Sequence, residues 1–514
     1  MTLPRLGGPH ADARSGALDW VYSIGCDVGS QSLKGVLLDG DGRVLARASA
    51  AYPIDYPHPG WAQQDASAWR AALATVVRAC VHDAAIQPAA VATLGLASQV
   101  DGLVAVDHDG EPLAPAIIWL DRRAAGQAHE LRTRSDVDAI RARTGLNLDA
   151  SHVAPKAMWL RDHRRDIFEG AAGLLLPGSA LVAWMTGERL VDHANASSTM
   201  LYDVAAQGWS PEMAALTGLD PHRLGTLRAA AEIAGELRPG AAEVLGLTTA
   251  TRVVVGTGDE HGAALGAGGI REGLVIDVTG TAEPVCVAAS APTIDATGLV
   301  ETHGHADPRV WLVENPGFVS GGSVSWFLAT LGGASAVALD AEAATTPPGA
   351  DGATFLPTLS GATAPRWNDA ARGAFAGLSP HHGRGHLFRS VLEGCTFALR
   401  DIVDRLDAMG LAGPEIRVVG GGARSPLWLQ MKADVTGRAV RVLDTDESTA
   451  MGAAMLAAVG AGTMRDLDEA VERCVRLDER VVEPDPATAA AYADAYGRYR
   501  QLYDAIEPTF GGWA

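Results

Sequence analysis

Three short turns in this sequence carry residues suited to phosphate chemistry. Asp27 closes the apolar run VYSIGCDV and precedes Gly29-Ser30-Gln31-Ser32, small residues that can aim backbone N–H groups at an anion. An acid at a strand end is a liability in an apolar setting unless it binds something, so Asp27 reads as a metal or phosphate ligand, with a satisfied turn aspartate as the alternative. Thr279-Gly280-Thr281 follows Asp277 in the same manner and offers a second turn from an opposite wall. Asp259, in Gly256-Thr-Gly-Asp-Glu-His-Gly262, follows a three-valine run. A carboxylate there can accept the proton of a substrate hydroxyl, as phosphoryl transfer to an alcohol requires, or can cap the Ala-rich helix that follows. Lys34 could touch a phosphate, although a hairpin lysine is more often solvated.

Other constellations are weaker. Gly420-Gly421-Gly422 lets the backbone approach a flat ligand or a phosphate, but it lacks the spacing of a dinucleotide fingerprint and of a P-loop lysine motif. His303 and His305 form an H-x-H pair that could ligate zinc, yet no further ligand lies at suitable spacing. No G-x-S-x-G elbow occurs, which removes one common serine-nucleophile arrangement. Trp61, Trp69, Trp119 and Trp159 read as core or interface residues rather than a platform for bases.

The elements that must position these residues are legible as alternating strands and helices. VYSIGCDV and the segments on either side of Asp39-Gly40-Asp41-Gly42 predict strands joined by hairpins. Residues 66–86 carry Trp69, Ala72, Leu73, Val76, Val77 and Cys80 at helical spacing, and short strands follow with an Asp109-Gly110 turn. From about 122 to 250 the pattern is mostly helical. GLVIDVTGTAEPVCVAA then repeats the grammar of the first strand pair, so the chain reads as two related halves with a boundary near Gly268. Later, an apolar strand runs into the three glycines, Ser425 suits an N-cap, Pro426 the first helical turn, and Gly437 the helix end. The expected units are a loose extension over 1–20, domains over 21–268 and 269–485, and a helical tail over 486–514.

Composition bounds the partners. The chain has 514 residues and is 47% hydrophobic, enough for two or more domains with substantial cores. With 41 Lys plus Arg against 61 Asp plus Glu, the net charge of −20 argues against nucleic acid or an anionic membrane as a partner. Five scattered cysteines without CxxC spacing fit a reduced compartment, and with no signal-like apolar run near the start the protein reads as cytoplasmic.

Taken together, CDVGSQSLKGVLLD, WAQQDASAW, AIIWLDRRA, LLPGSALVAWMTGE, VVGTGDEHGAALGAG, GAFAGLSPHHGRGHLFRSVLEG and VVGGGARSPLWLQMKAD occur in the order of the FGGY carbohydrate kinases. The chain resembles that family from about residue 22 to about 460, and is most similar to its xylulokinase branch. The resemblance implies an α/β fold of two actin-like (ribonuclease H-like) ATPase domains, each a mixed β-sheet flanked by helices, around a central cleft. It implies ATP and Mg2+ as cofactors, a small ketose or polyol as acceptor, most of all a pentulose such as xylulose, and a possible homodimer. Alternatives are a kinase for ribulose, erythritol, glycerol or a hexulose, or a non-catalytic nucleotide- and sugar-binding protein.

Carried over by residue, Asp259 would be the general base, and Asp27 with Asp259 would be the metal-side carboxylates. Asp27, Gly29, Ser30, Gln31, Gly280 and Thr281 would lie at the phosphates, and Gly420, Gly421, Gly422 and Ser425 along the adenosine. Gln99, Val100, Asp101, Trp119, Asp121, Asp259 and Glu260 would surround the sugar. Xylulokinases usually carry Gln-Met-His-Gly where this chain has Gln99-Val100-Asp101-Gly102, and Asp-Asn where it has Asp259-Glu260. An ionised carboxylate accepts hydrogen bonds and cannot donate them, so acceptor preference is expected to depart at these positions.

Overall fold

The computed structural model describes residues 21–512; the expected extension over 1–20 lies outside the described residues. Alternating apolar residues produce a three-stranded antiparallel meander, β1 (Tyr22–Val28), β2 (Ser32–Leu38) and β3 (Val44–Ala51). At the β2–β3 turn the Asp39 carboxylate accepts the Asp41 and Arg43 N–H groups at 2.9 Å, the local bonding that suits aspartate to turns. Helix α1 (Ala66–Asp83) starts at an Asp65 cap and buries Trp69, Leu73, Val76 and Val77 in the core of this sheet. Strand β4 (Val91–Ser98) runs parallel to β1. A mostly helical stretch follows, including α2 (Val153–His163), and packs as a separate apolar cluster. Strands β5 (Ile233–Glu236) and β6 (Arg252–Val254) complete the order β5–β6–β4–β1–β2–β3.

Helix α3 (Asp259–Gly266) leads through residues 267–272 to the second sheet. It contains β7 (Gly273–Thr279), β8 (Ala282–Ala289), β9 (Glu301–Gly304), β10 (Trp311–Val319), and, after helices α4 (Gly321–Thr330) and α5 (Arg384–Ala408), β11 (Ala412–Gly420). Helix α6 (Pro426–Thr436), strand β12 (Ala439–Leu443), helix α7 (Ser448–Ala461), strand β13 (Leu477–Val482) and helix α8 (Ala489–Ile506) follow. The order is β9–β10–β8–β7–β11–β12–β13.

The two sheets share one grammar. In each, a three-stranded antiparallel meander (β3–β2–β1, β10–β8–β7) is extended by two parallel strands (β4 and β6, β11 and β12) and an antiparallel edge strand. The kinship of the halves expected from a few residues is therefore carried by strand order and direction. This is the α/β architecture expected, two mixed sheets flanked by helices.

Chain order and packing do not coincide everywhere. Helix α7, from the second half, lies on the first sheet: a Cβ on Gly25 of β1 would sit 2.1 Å from Ala454 N, and Gly25 is paired across the strands with Gly95, equally tight against Ala453. Two glycines side by side leave a flat trough for this helix. Helix α3 packs on α7 backbone to backbone, since a Cβ on Gly266 would fall 1.9 Å from Ser448 O. Helix α8 buries Tyr492, Tyr499 and Tyr503 in the second core, so the expected tail is one of its layers. All five cysteines are free and buried, and no described helix is long and apolar enough to cross a membrane.

Candidate active site

Strands β1 and β4 end together, Val28 beside Ser98, and the Gln99 N–H donates to Val28 O at 2.9 Å. Asp27 and the Gln99–Asp101 turn therefore share the carboxyl end of the parallel pair, where α/β sheets form their ligand crevices. Asp259 joins them because Thr257 and Gly258 pair with Ala97 and Ser98 of β4. Gly258 is the cap of α3 and Asp259 its first residue; the Asp259 Oδ1 accepts the Glu260 N–H at 3.0 Å, and the Val100 amide also faces this carboxylate. Burial, with the neighbouring Asp101 charge, raises its carboxyl to about 6 against those two amides. Burial and the Asp259 charge push Asp27 up to about 8 despite the opposing Lys34 ammonium. Lys34 itself is paired with Glu447 at 3.2 Å and is not a free phosphate ligand.

The residues expected on the acceptor side separate into exposed, orphaned and occupied. Gln99 is buried; its amide donates to Gln64 Oε1 at 2.9 Å, while its own Oε1 has no partner. Asp101, at φ +58°, faces His152 at 3.2 Å and its carbonyl accepts the buried Lys156 ammonium at 2.6 Å. The Asp101 charge and hydrogen bond hold His152 at about 9 although burial opposes the cation. Asp121 is fully buried and already engaged: its carboxylate accepts the Ala62 N–H at 2.6 Å and the Arg123 Nε at 2.8 Å. Arg123 in turn lies 3.8 Å from the Trp61 ring centre, so Asp121 braces an Arg–Trp stack. Trp119 is 37% exposed and Trp69 wholly buried.

On the second sheet, Thr279 ends β7 beside Gly420 at the end of β11. The Gly29 N–H closes its own hairpin on Ser32 O and the Gly280 N–H donates to Ala282 O, so both glycines shape their turns with amides already used. A Cβ on Gly420 would sit 2.8 Å from Thr279 O and one on Gly422 would sit 2.4 Å from Thr279 Cγ2, whereas Gly421 has nothing closer than 4.0 Å. Two of the three glycines thus allow close packing on Thr279 and only Gly421 borders open space. Ser425 caps α6 by accepting the Trp428 N–H at 3.1 Å.

Two acids of this region, Glu301 and Glu314, carry no local sequence signal. Glu301 of β9 stands directly opposite Glu314 of β10, with His303 on the same face 3.2 Å from Glu314. All three are buried; the Glu314 carboxylate faces His303 Nε2 and pairs with the Glu260 carboxyl, while His303 Nδ1 has no hydrogen-bond partner. Burial raises Glu301 to about 7 and Glu314 to about 8 and lowers His303 and His305 to about 4. Among the described residues no group of three His, Cys, Asp or Glu side chains could hold a metal ion, so the His303–His305 pair makes no zinc centre. Gln64 ties the Ser30 turn to Gln99 by donating to Ser30 O at 2.7 Å while accepting from Gln99 and Trp69; its place in WAQQDASAW was visible, its contacts were not.

Two sheets of one topology, carboxylates at the end of one and small-residue turns at the end of the other, define an actin-like ATPase fold of the sugar-kinase kind. The FGGY family of carbohydrate kinases, N-terminal domain, matches residues 22–266, and its C-terminal domain matches residues 277–461. The chain is 32% identical over 486 residues to the xylulose kinase of Escherichia coli (strain K12), covering 94% of this chain and 99% of that protein. It is 30% identical over 485 residues to the xylulose kinase of Lactococcus lactis subsp. lactis, covering 94% and 96%. A solved xylulose kinase from Rhodospirillum rubrum superposes with a TM-score of 0.87 at 30% identity, covering 95% of this chain and all of that one. The chain belongs to the FGGY family of carbohydrate kinases.

Proposed function

We propose that this protein is a cytoplasmic, Mg2+- and ATP-dependent kinase that phosphorylates a hydroxyl of a pentulose, with xylulose the first candidate. The observation that carries this reading is the meeting of Asp27, Asp259 and the Gln99–Asp101 turn at one strand end, with Asp259 held by a helix start and free of any cationic partner within hydrogen-bond reach. The acceptor lies against the orphaned Gln99 Oε1, Val100, Asp101 and Glu260, with Trp119 at the rim. The nucleotide lies along Gly421 and the N-terminal turn of α6, its phosphates reaching Ser30, Gln31 and Thr281. Asp259 accepts the proton of the acceptor hydroxyl while that oxygen attacks the γ-phosphorus, the bond to the β,γ-bridging oxygen breaks, and ADP leaves with its electron pair.

Asp27 and Asp259 fit a hard cation, because both are half-buried acids with no basic hydrogen-bond partner, Asp27 raised by desolvation and the Asp259 charge and Asp259 by desolvation and the Asp101 charge. Magnesium held there would neutralise phosphate charge.

A coupled ADP-release assay over pentuloses, hexuloses, erythritol and glycerol tests the reading. A pentulose should give the highest kcat/KM, and Asp259→Ala should keep nucleotide binding while lowering turnover by about 10²–10⁴-fold. Near-wild-type turnover removes Asp259 from the chemistry. Sugar-independent nucleotide hydrolysis without a phosphorylated product would instead favour a non-catalytic binding protein.

A further inference from the structure

Lys432 is a wholly buried lysine that the reaction does not use. It lies on α6 between Met431 and Ala433, both buried in the second core. Its ammonium donates to Asp277 Oδ2, to Thr279 Oγ1 at 2.6 Å and to Glu283 Oε1 at 2.9 Å, and lies 5.0 Å from the Trp428 ring centre. The Thr279 hydroxyl donates in turn to Asp277 Oδ1 at 2.9 Å. Glu283 Oε2 accepts from the Ser320 hydroxyl, and the next two residues, Gly321 and Gly322, donate their N–H groups to Gly280 O at 3.1 Å and Thr281 O at 2.9 Å. One ammonium therefore reaches, directly or through a single side chain, each segment that shapes the 279–281 turn. The helix that carries it begins at the Gly420–Ser425 turn.

The repeated grammar of the two sheets sharpens this. Asp27 and Asp277 occupy matching places near the ends of β1 and β7, yet Asp27 has another acid as its main charged neighbour and Asp277 holds an ammonium. A buried ion cluster is weak evidence of stability, since apolar residues of the same volume do as well. What it does supply is geometry: three acceptors on β7 and β8 are held at fixed distances from one helix.

We infer that Lys432 is a positioning residue for the nucleotide, holding the Thr279–Thr281 turn against the Gly420–Ser425 turn so that the phosphate and adenosine parts of the site move as one unit. This rests on the placement of the nucleotide on the second sheet proposed above. A neutral side chain would leave the Asp277 and Glu283 carboxylates without the ammonium between them.

The test is the Lys432→Met variant, matched in length and uncharged, in the full-length protein. Calorimetry with MgADP alone should show affinity weakened by about tenfold or more, with KM for ATP rising in parallel and KM for the acceptor staying within about twofold. A companion variant, Lys432→Met with Asp277→Asn and Glu283→Gln, strands no buried charge; it serves if the single variant does not fold, and its nucleotide affinity should stay weakened. MgADP affinity equal to wild type in either folded variant overturns the proposal, as does an equal rise in both Michaelis constants. Wild-type protein that binds no adenine nucleotide overturns the functional reading itself, a result that needs no variant and is thereby distinguishable.

Discussion

Asp101 shows how much a single side chain depends on what faces it. A carboxylate at the proposed acceptor wall in place of an imidazole suggests a pure hydrogen-bond acceptor. In the fold His152 stands beside it at 3.2 Å, so an imidazole is present after all, supplied by another segment. The pair has a pH signature. The His152 value of about 9 lies above the ordinary imidazole value of about 6.5, so its contribution to stability is complete below about 6.5 and is lost as pH rises through about 9. The melting temperature of the wild type should therefore fall more steeply between pH 7 and pH 9.5 than that of His152→Gln. Parallel curves for the two proteins would remove the charged pair.

At the level of elements, the proposed catalytic carboxylate is placed by helix packing. Asp259 opens α3, and α3 touches α7 at Gly266 with no room for a side chain. Helix α7 in turn fills the trough over Gly25 and Gly95, so the position of Asp259 relative to Asp27 is set by a stack of backbone contacts. A Cβ at residue 266 would have to displace the Ser448 carbonyl, a backbone group that cannot rotate away. Gly266→Ala should lower unfolding stability by about 1–3 kcal/mol in urea titration, and should lower kcat more than it changes KM for ATP because the shift moves α3. A variant as stable as wild type would mean that the two helices separate without cost.

Across the whole molecule, the proposed acceptor and nucleotide walls belong to different sheets joined by residues 267–272 and by α7. Transfer requires the terminal phosphate to reach the acceptor hydroxyl with water excluded, which two walls achieve by closing. Small-angle scattering should show a smaller radius of gyration with acceptor plus a non-hydrolysable ATP analogue than with neither; identical curves would refute closure. How far this was legible in the sequence follows from the range of the interactions concerned. The Asp39–Gly42 hairpin, the Ser425 cap, the Asp27 and Asp259 turns and the repeated strand grammar were readable because turn chemistry and side-chain periodicity act over a few residues. The return of α7 to the first sheet, the occupation of Asp121 by Arg123, the ring of Glu301, Glu314 and His303, and the Asp277–Lys432 contact, which closes 155 residues of chain, were not. Local sequence determined which backbone conformations and which chemical groups this protein has at each position. Only tertiary packing decided which buried charges meet, because partners remote along the chain leave no spacing to read and are selected by the need to satisfy every polar group that the core encloses.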